Sequence, residues 1–198
     1  MNRILNFGEP FLSAVYLEAE GSYDVATSAI LINLDKEKDV LINGEFSLPA
    51  LTAMTVQDVN IAVQGKALLI TGYDKLELTD EVIASLCDAW TTGNNVYYKS
   101  PKAELGNVSV NFCLVSKPVS PSGIHRDHPD LMVQELHVQI IGCGFVDLLK
   151  AQDPDTVYAS MPLAPGSTHM HTWNADNAYT WHRYRNITPC MFLGVEVH

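Results

Sequence analysis

The amino-acid sequence predicts an all-β protein, a sandwich or barrel, carrying one helix. Three observations lead there. Short β-rich runs follow one another closely, divided by turn pairs such as Asn43-Gly44 and Gln64-Gly65. A single stretch has helical periodicity. Hydrophobic residues make up 47% of the 198 and charged residues 18%, enough to bury a core in one domain, or one domain with a subsidiary lobe.

The first run, 29–34 (AILINL), ends at the charged turn 35–39. Runs at 40–42, 51–56, 59–63 and 67–71 continue the pattern. The helix is expected over 80–92: Thr79 caps it, Asp80 and Glu81 favour its positive N-terminal end, and Gly93 stops it. Val82, Ile83, Leu86, Ala89 and Trp90 recur at helical spacing and form a packing stripe facing the core. Strands resume at 108–115, and the loop 117–123 (KPVSPSG) is broken by two prolines and a glycine. Strands are then expected at 133–141, 145–149, 157–163, from about 168, at 180–185 and at 191–197. The chain divides near residue 100 into a β-rich N-terminal portion, 1–100, and a C-terminal β portion, 101–198.

Lys and Arg total 12 against 23 Asp and Glu, a formal charge of −11. Such a surface repels phosphate backbones and anionic headgroups, so no nucleic-acid or membrane partner is expected. No apolar run reaches the roughly 18–20 residues that span a bilayer. Residues 1–10 lack the basic start and apolar stretch of a secretory signal. Cys87, Cys113, Cys143 and Cys190 lie far apart with no CxxC, which fits free thiols in a reducing cytoplasm. GxSxG, GxxxxGK[ST] and GxGxxG are all missing from the sequence.

Candidate chemistry gathers in the second half. Six of the seven histidines, His125, His128, His137, His169, His171 and His182, fall between 125 and 182. In the strand at 133–141, Glu135, His137 and Gln139 share one face and Leu136, Val138 and Ile140 the other. The polar face is either solvated or the wall of a polar cavity. The apolar face needs a second sheet or a second copy, hence an expected homodimer. Imidazoles and carboxylates meeting on neighbouring strands make a site for a divalent metal such as Fe, Mn, Ni or Zn. Gly166 permits the sharp turn that delivers His169 onto a strand.

Over roughly 104–198 the sequence resembles the cupin superfamily, whose RmlC-like double-stranded β-helix is a jelly-roll barrel. The first cupin motif has the form G(x)5HxH(x)3–4E(x)6G. Here Glu135-(x)6-Gly142 matches its second half and His128 occupies the first ligand position, with Asp130 in place of the second histidine and Gly123 one residue too close. In the second motif Gly166-(x)2-His169 matches, with Pro165 adjacent and Asn174 one position late. The resemblance implies His128, Glu135 and His169 as metal ligands, with His125 or His137 supplying the missing imidazole. The N-terminal portion is then a degenerate second half or a lobe at the cavity entrance. His137 and His171 are candidate proton carriers, and Gln139, Arg183 and Trp181 candidate substrate contacts. The function implied is metal-dependent oxygenase, isomerase or lyase chemistry on a small polar or anionic molecule.

Two alternatives stand beside it. One is a non-catalytic barrel that binds or senses a small molecule. The other is an Fe(II)/2-oxoglutarate-type oxygenase, on the HxD triplets His125-Arg126-Asp127 and His128-Pro129-Asp130, with Arg183 lying 12 residues past His171 to clasp a carboxylate. In Trp181-His182-Arg183-Tyr184-Arg185, extended backbone puts His182 and Tyr184 on one face and Trp181, Arg183 and Arg185 on the other. The arginines are either cross-strand partners of acidic neighbours or an anion clamp walled by Trp173 and Tyr179.

Overall fold

The computed structural model describes residues 2–6, 11–18, 20–94, 97–117, 123–126, 134–170 and 180–198, with the backbone alone described at 87–89, 91–94 and 170. In the N-terminal part the strands are β1 (Arg3–Leu5), β2 (Ser13–Leu17), β3 (Gly21–Val25), β4 (Ala29–Asn33), β5 (Val40–Ile42), β6 (Phe46–Leu48), β7 (Ala53–Val56), β8 (Val59–Val63) and β9 (Ala67–Thr71). Helix α1 (Asp80–Ala89) follows. Then come β10 (Thr91–Asn94), β11 (Tyr97–Lys99), β12 (Ala103–Glu104), β13 (Val108–Val115), β14 (Gln134–Ile141), β15 (Gly144–Leu149), β16 (Val157–Leu163), β17 (Thr168–Met170), β18 (Trp181–Asn186) and β19 (Cys190–Val197).

The strand order is that of a jelly roll, twice over. Taking β2 to β9 as positions one to eight, one sheet runs one-eight-three-six (β2-β9-β4-β7, with β1 at its edge) and the other two-seven-four-five (β3-β8-β5-β6). In the second half β13-β19-β14-β17 repeats one-eight-three-six, and β18-β15-β16 repeats seven-four-five. Position two is marked there by an antiparallel bridge between His125 and His182. The all-β double-stranded β-helix is therefore present in both portions of the chain.

The two barrels pack face to face as four layers. The outer face of the β2-β9-β4-β7 sheet shares one apolar cluster with that of the β13-β19-β14-β17 sheet. Ile30, Ile32, Leu68 and Ile70 from the first meet Phe112, Leu136, Val138 and Leu193 from the second. Leu86 and Trp90 of the helical segment add to it, Trp90 stacking on Phe112 with ring centroids 6.2 Å apart. The apolar face of β14 is thus covered from within the chain, which removes the reason for expecting a second copy on it.

Alternate residues of the middle strands turn into the barrels. Ala29 and Leu31 of β4 join Leu17, Val40, Ile61 and Val63 to fill the first barrel with apolar side chains. Cys113 and Val115 of β13 join Val146, Leu163, Tyr184 and Phe192 in the second. Among the described residues, the inner strand faces of the second barrel carry imidazoles and carboxylates, among them His137, His169, Glu135 and Glu196.

Three sequence expectations are corrected in detail. The helix stops at Ala89 rather than residue 92, and Thr91–Asn94 becomes β10, paired with β11. Two consecutive β-branched threonines before Gly93 favour extended backbone there. Because β11 pairs with β13, residues 91–99 belong to the C-terminal sheet. The run expected over 51–56 starts at Ala53, since Leu51 takes φ 55°. The Asn43-Gly44 pair behaves as its composition demands, with φ 52° and 69°.

Candidate functional site

The site is assembled from rows of residues that face each other across the inner wall of the second barrel. Asn111 (β13), Gly194 (β19), His137 (β14) and His169 (β17) are successive Cα partners. Directly opposed residues share a face, so Asn111, His137 and His169 point into the barrel together. One row along lie Ser109, Glu196 and Glu135, again successive partners. From the other sheet, His182 stands opposite Leu148 on one side and His125 on the other.

His169 is 4% exposed. Its hairpin with β14 is fixed by Gln139 N–H donating to Ser167 O and Gly166 N–H to Gln139 O. Gly166 takes φ 84°, and a Cβ there would press on the Thr55 backbone of the first barrel. The glycine therefore serves both the turn and the contact between barrels. Burial, then the neighbouring His137 and His182, push the His169 pKa down to about 4. His169 is neutral at pH 7, the form in which imidazole ligates a metal.

Glu135 and His137 are joined at 3.1 Å between Oε1 and Nε2. His125 is exposed; its ring lies 4.4 Å from that of His182, centroid to centroid. Each of the pair has Nδ1 on a backbone carbonyl, Gly123 O at 2.9 Å and Thr180 O at 2.8 Å. Gln139 is fully buried one row deeper, accepting from the Tyr184 hydroxyl at 3.2 Å and donating to Ile141 O. Tyr184 also lies 3.0 Å from the Cys190 thiol. Burial raises the Cys113 and Cys190 pKa values to about 11, so both are un-ionised at neutral pH.

Arg183 and Trp181 are not on this inner face. The β15–β18 register puts Arg183 opposite Asp147 and Trp181 opposite Leu149, on the face turned away from His182 and Tyr184. Arg183 Nε and Arg185 Nε each lie 2.9 Å from Asp147 Oδ2, and Ser160 donates to Oδ1 at 2.6 Å. Arg126 covers the Trp181 ring at 4.7 Å. Arg183 and Arg185 are thus cross-strand partners of Asp147, on the face turned away from the imidazoles.

Among the sequence-derived candidates, Glu135, His137, Gln139 and His169 share the inner face of the second barrel, and His125 stands at its rim. His128 and His171 lie outside the described residues, as do Asp127, Asp130, Trp173, Asn174 and Tyr179. His182, which belongs to the histidine cluster but to neither cupin motif, joins the site opposite His125. Its signal was the parity that joins it to Tyr184, combined with its membership of the histidine cluster. Among the described residues no group of three or more His, Cys, Asp or Glu side chains could hold a metal ion. In kind, the neutral imidazole of His169 and the carboxylate of Glu135 suit a borderline divalent metal.

The low pKa of His169 fixes a pH dependence for metal-free protein. The folded state disfavours protonation, so this residue's contribution is complete above the ordinary value of about 6.5 and is lost as pH falls toward 4. The loss is about 3 kcal/mol. Denaturant titrations from pH 7.5 to 4 are expected to show this acid limb, and His169→Asn to flatten it. An NMR midpoint for His169 near 6.5 in the folded protein contradicts the assignment.

No protein-family model matches the sequence, and no curated protein matches it. Similar solved structures include KdgF from Halomonas sp., at TM-score 0.42 and 11% identity, covering 55% of this chain and 85% of that one. A cupin 2 conserved barrel domain protein from Leptotrichia buccalis has TM-score 0.39 and 10% identity over 100% of this chain and 88% of its own. A DMSP lyase structure has TM-score 0.38 and 17% identity over 52% of this chain, which spans 47% of that protein's length. At these values the likenesses carry no activity across, and the fold assignment rests on the strand order.

Proposed function

From a chain whose fold is the cupin-type double-stranded β-helix, we propose that the second barrel binds a divalent metal ion and acts on a small polar molecule. The observation that carries this reading is His169, 4% exposed and neutral, placed directly across the ladder from His137, which is itself bonded to Glu135. His169, Glu135 and His128 would hold the metal, with His137 or His125 beside them. When bound, the metal supplies Lewis-acid polarisation or oxygen activation. Glu135 orients the His137 ring through Nε2. Where His137 stays off the metal, it holds or passes a proton at the pocket wall. Gln139 and Tyr184 close the inner end with mutually satisfied polar groups.

Protein purified without an affinity tag is expected to carry close to one equivalent of Fe, Mn, Ni or Zn, and to gain thermal stability when one of these is added. Glu135→Ala loses both. A metal content under about a tenth of an equivalent, with no stabilisation by any of the four, overturns the reading.

A second reading is a barrel that binds a small molecule without turnover. It predicts that ligand binding survives Glu135→Ala.

A further inference from the structure

Glu135 has a second carboxylate directly across the ladder. The β14–β19 register pairs it with Glu196, and directly opposed residues share a face with Cβ atoms about 4.5–5.5 Å apart. Like charges placed this way destabilise a sheet unless a cation meets them. Water screens them only in part, because the side chains of Glu135 and Glu196 are 22% and 32% exposed.

The two carboxylates have different partners. Glu135 Oε1 lies 3.1 Å from His137 Nε2, beside the row of imidazoles. Glu196 Oε2 accepts from Lys102 Nζ at 2.7 Å and from Ser109 Oγ at 3.2 Å. Ser109 is buried on β13 and is itself the Cα partner of Glu196, so the acid is held against the ladder. Lys102 reaches in from the residue before β12, which pairs with the same strand, β13. Two carboxylates against one ammonium leave a negative charge in the row next to His137 and His169. The field felt by a divalent ion at Glu135 and His169 is therefore deepened by Glu196 and weakened by Lys102.

We infer that Glu196 and Lys102 set the metal affinity of the second barrel: Glu196 raises it through its charge beside Glu135, without ligating, and Lys102 lowers it. This rests on the metal reading of the proposed function and adds the residues that tune it. Glu196 acts through the field at Glu135 and is a positioning residue. Each unit charge counts twice toward a divalent ion, and screening at a partly exposed site in physiological salt leaves a change in affinity of roughly five- to tenfold.

The test is calorimetric titration of chelator-stripped, tag-free protein with Mn²⁺, Ni²⁺, Zn²⁺ and, without oxygen, Fe²⁺. For each ion that wild type binds, Glu196→Gln is expected to weaken binding roughly five- to tenfold and Lys102→Gln to strengthen it by a similar factor. The double variant returns close to wild type. Raising the salt concentration shrinks both effects. Asp24→Asn removes an equal charge from the outer sheet of the first barrel, at least two sheet spacings or about 20 Å away, and changes affinity less than about twofold. An ion pair with only a structural role behaves differently: breaking it from either side lowers the melting temperature, and the two affinities move the same way or not at all. The inference alone is overturned if wild type binds an ion that Glu196→Gln binds as tightly, or that Lys102→Gln binds no more tightly. Failure of wild type to bind any of the four ions overturns the metal reading, and this inference with it.

Discussion

Residues 91–198 produced alone are expected to aggregate or remain molten, although they contain every strand of the second barrel. Twelve of their residues, from Leu105 to Val197, belong to the apolar cluster shared with the first barrel. Losing the cover from even half of them costs about 1.5–3 kcal/mol per side chain, which matches the whole stability of an ordinary domain at about 5–15 kcal/mol. The exposed sheet face would also be a broad apolar patch. Near-UV circular dichroism, dye binding and size-exclusion chromatography check this. A soluble monomer with cooperative unfolding would show that the shared layer is dispensable. Residues 1–90 are expected to fail in the same way, since Ile30, Ile32, Leu68 and Ile70 lose their cover.

Asp147→Ala is expected to lower stability by about 3 kcal/mol, or the melting temperature by roughly 6–12 °C. The carboxylate is 2% exposed and serves both Arg183 and Arg185, whose side chains are 15% and 34% exposed. Removing it leaves two guanidinium groups and Ser160 facing apolar replacement. The figure sits at the low end for a buried pair because Arg185 can turn partly to water. Burial acts to raise the Asp147 pKa, but hydrogen bonds from Ser160, Arg185 and Arg183 outweigh it, and the net shift is downward. Its stabilisation is therefore present above the ordinary carboxylate range near pH 4 and fades as pH falls below it. Asp147→Asn should flatten that acid limb while keeping part of the hydrogen bonding. A melting temperature unchanged within about 1 °C for the alanine variant would show that the arginines do not depend on this residue.

The alternation of β14 was legible in the sequence. Glu135, His137 and Gln139 face the barrel interior, and Leu136, Val138 and Ile140 the shared core, because strand parity fixes which residues travel together. What covers the apolar face was not legible, since a sheet, a second barrel and a second copy all satisfy the same hydrophobic pattern. On β18 parity also grouped the residues correctly, His182 with Tyr184 and Arg183 with Arg185. Both faces are polar enough to point inward, however, and only the register against Asp147 decides between them. The early strands carry little local signal. Gly21–Val25 (GSYDV) is short, begins with glycine and carries a charge, so its pairing with β8 depends on partners distant in sequence. The length of α1 was overestimated because Trp90 continues the helical apolar spacing even though it packs from beyond the last turn.

The burial of β4 and β13 on both sides has a consequence for how variation is tolerated along them. Neighbouring positions answer to unrelated surroundings: Leu31 to the lining of one barrel, Ile32 to the seam between the two. Adjacent substitutions there should combine as nearly independent events, while Ile32 and Leu136, far apart along the chain, share one compartment whose volume must be conserved jointly. Such a chain drifts by compensating across its midline rather than along its strands.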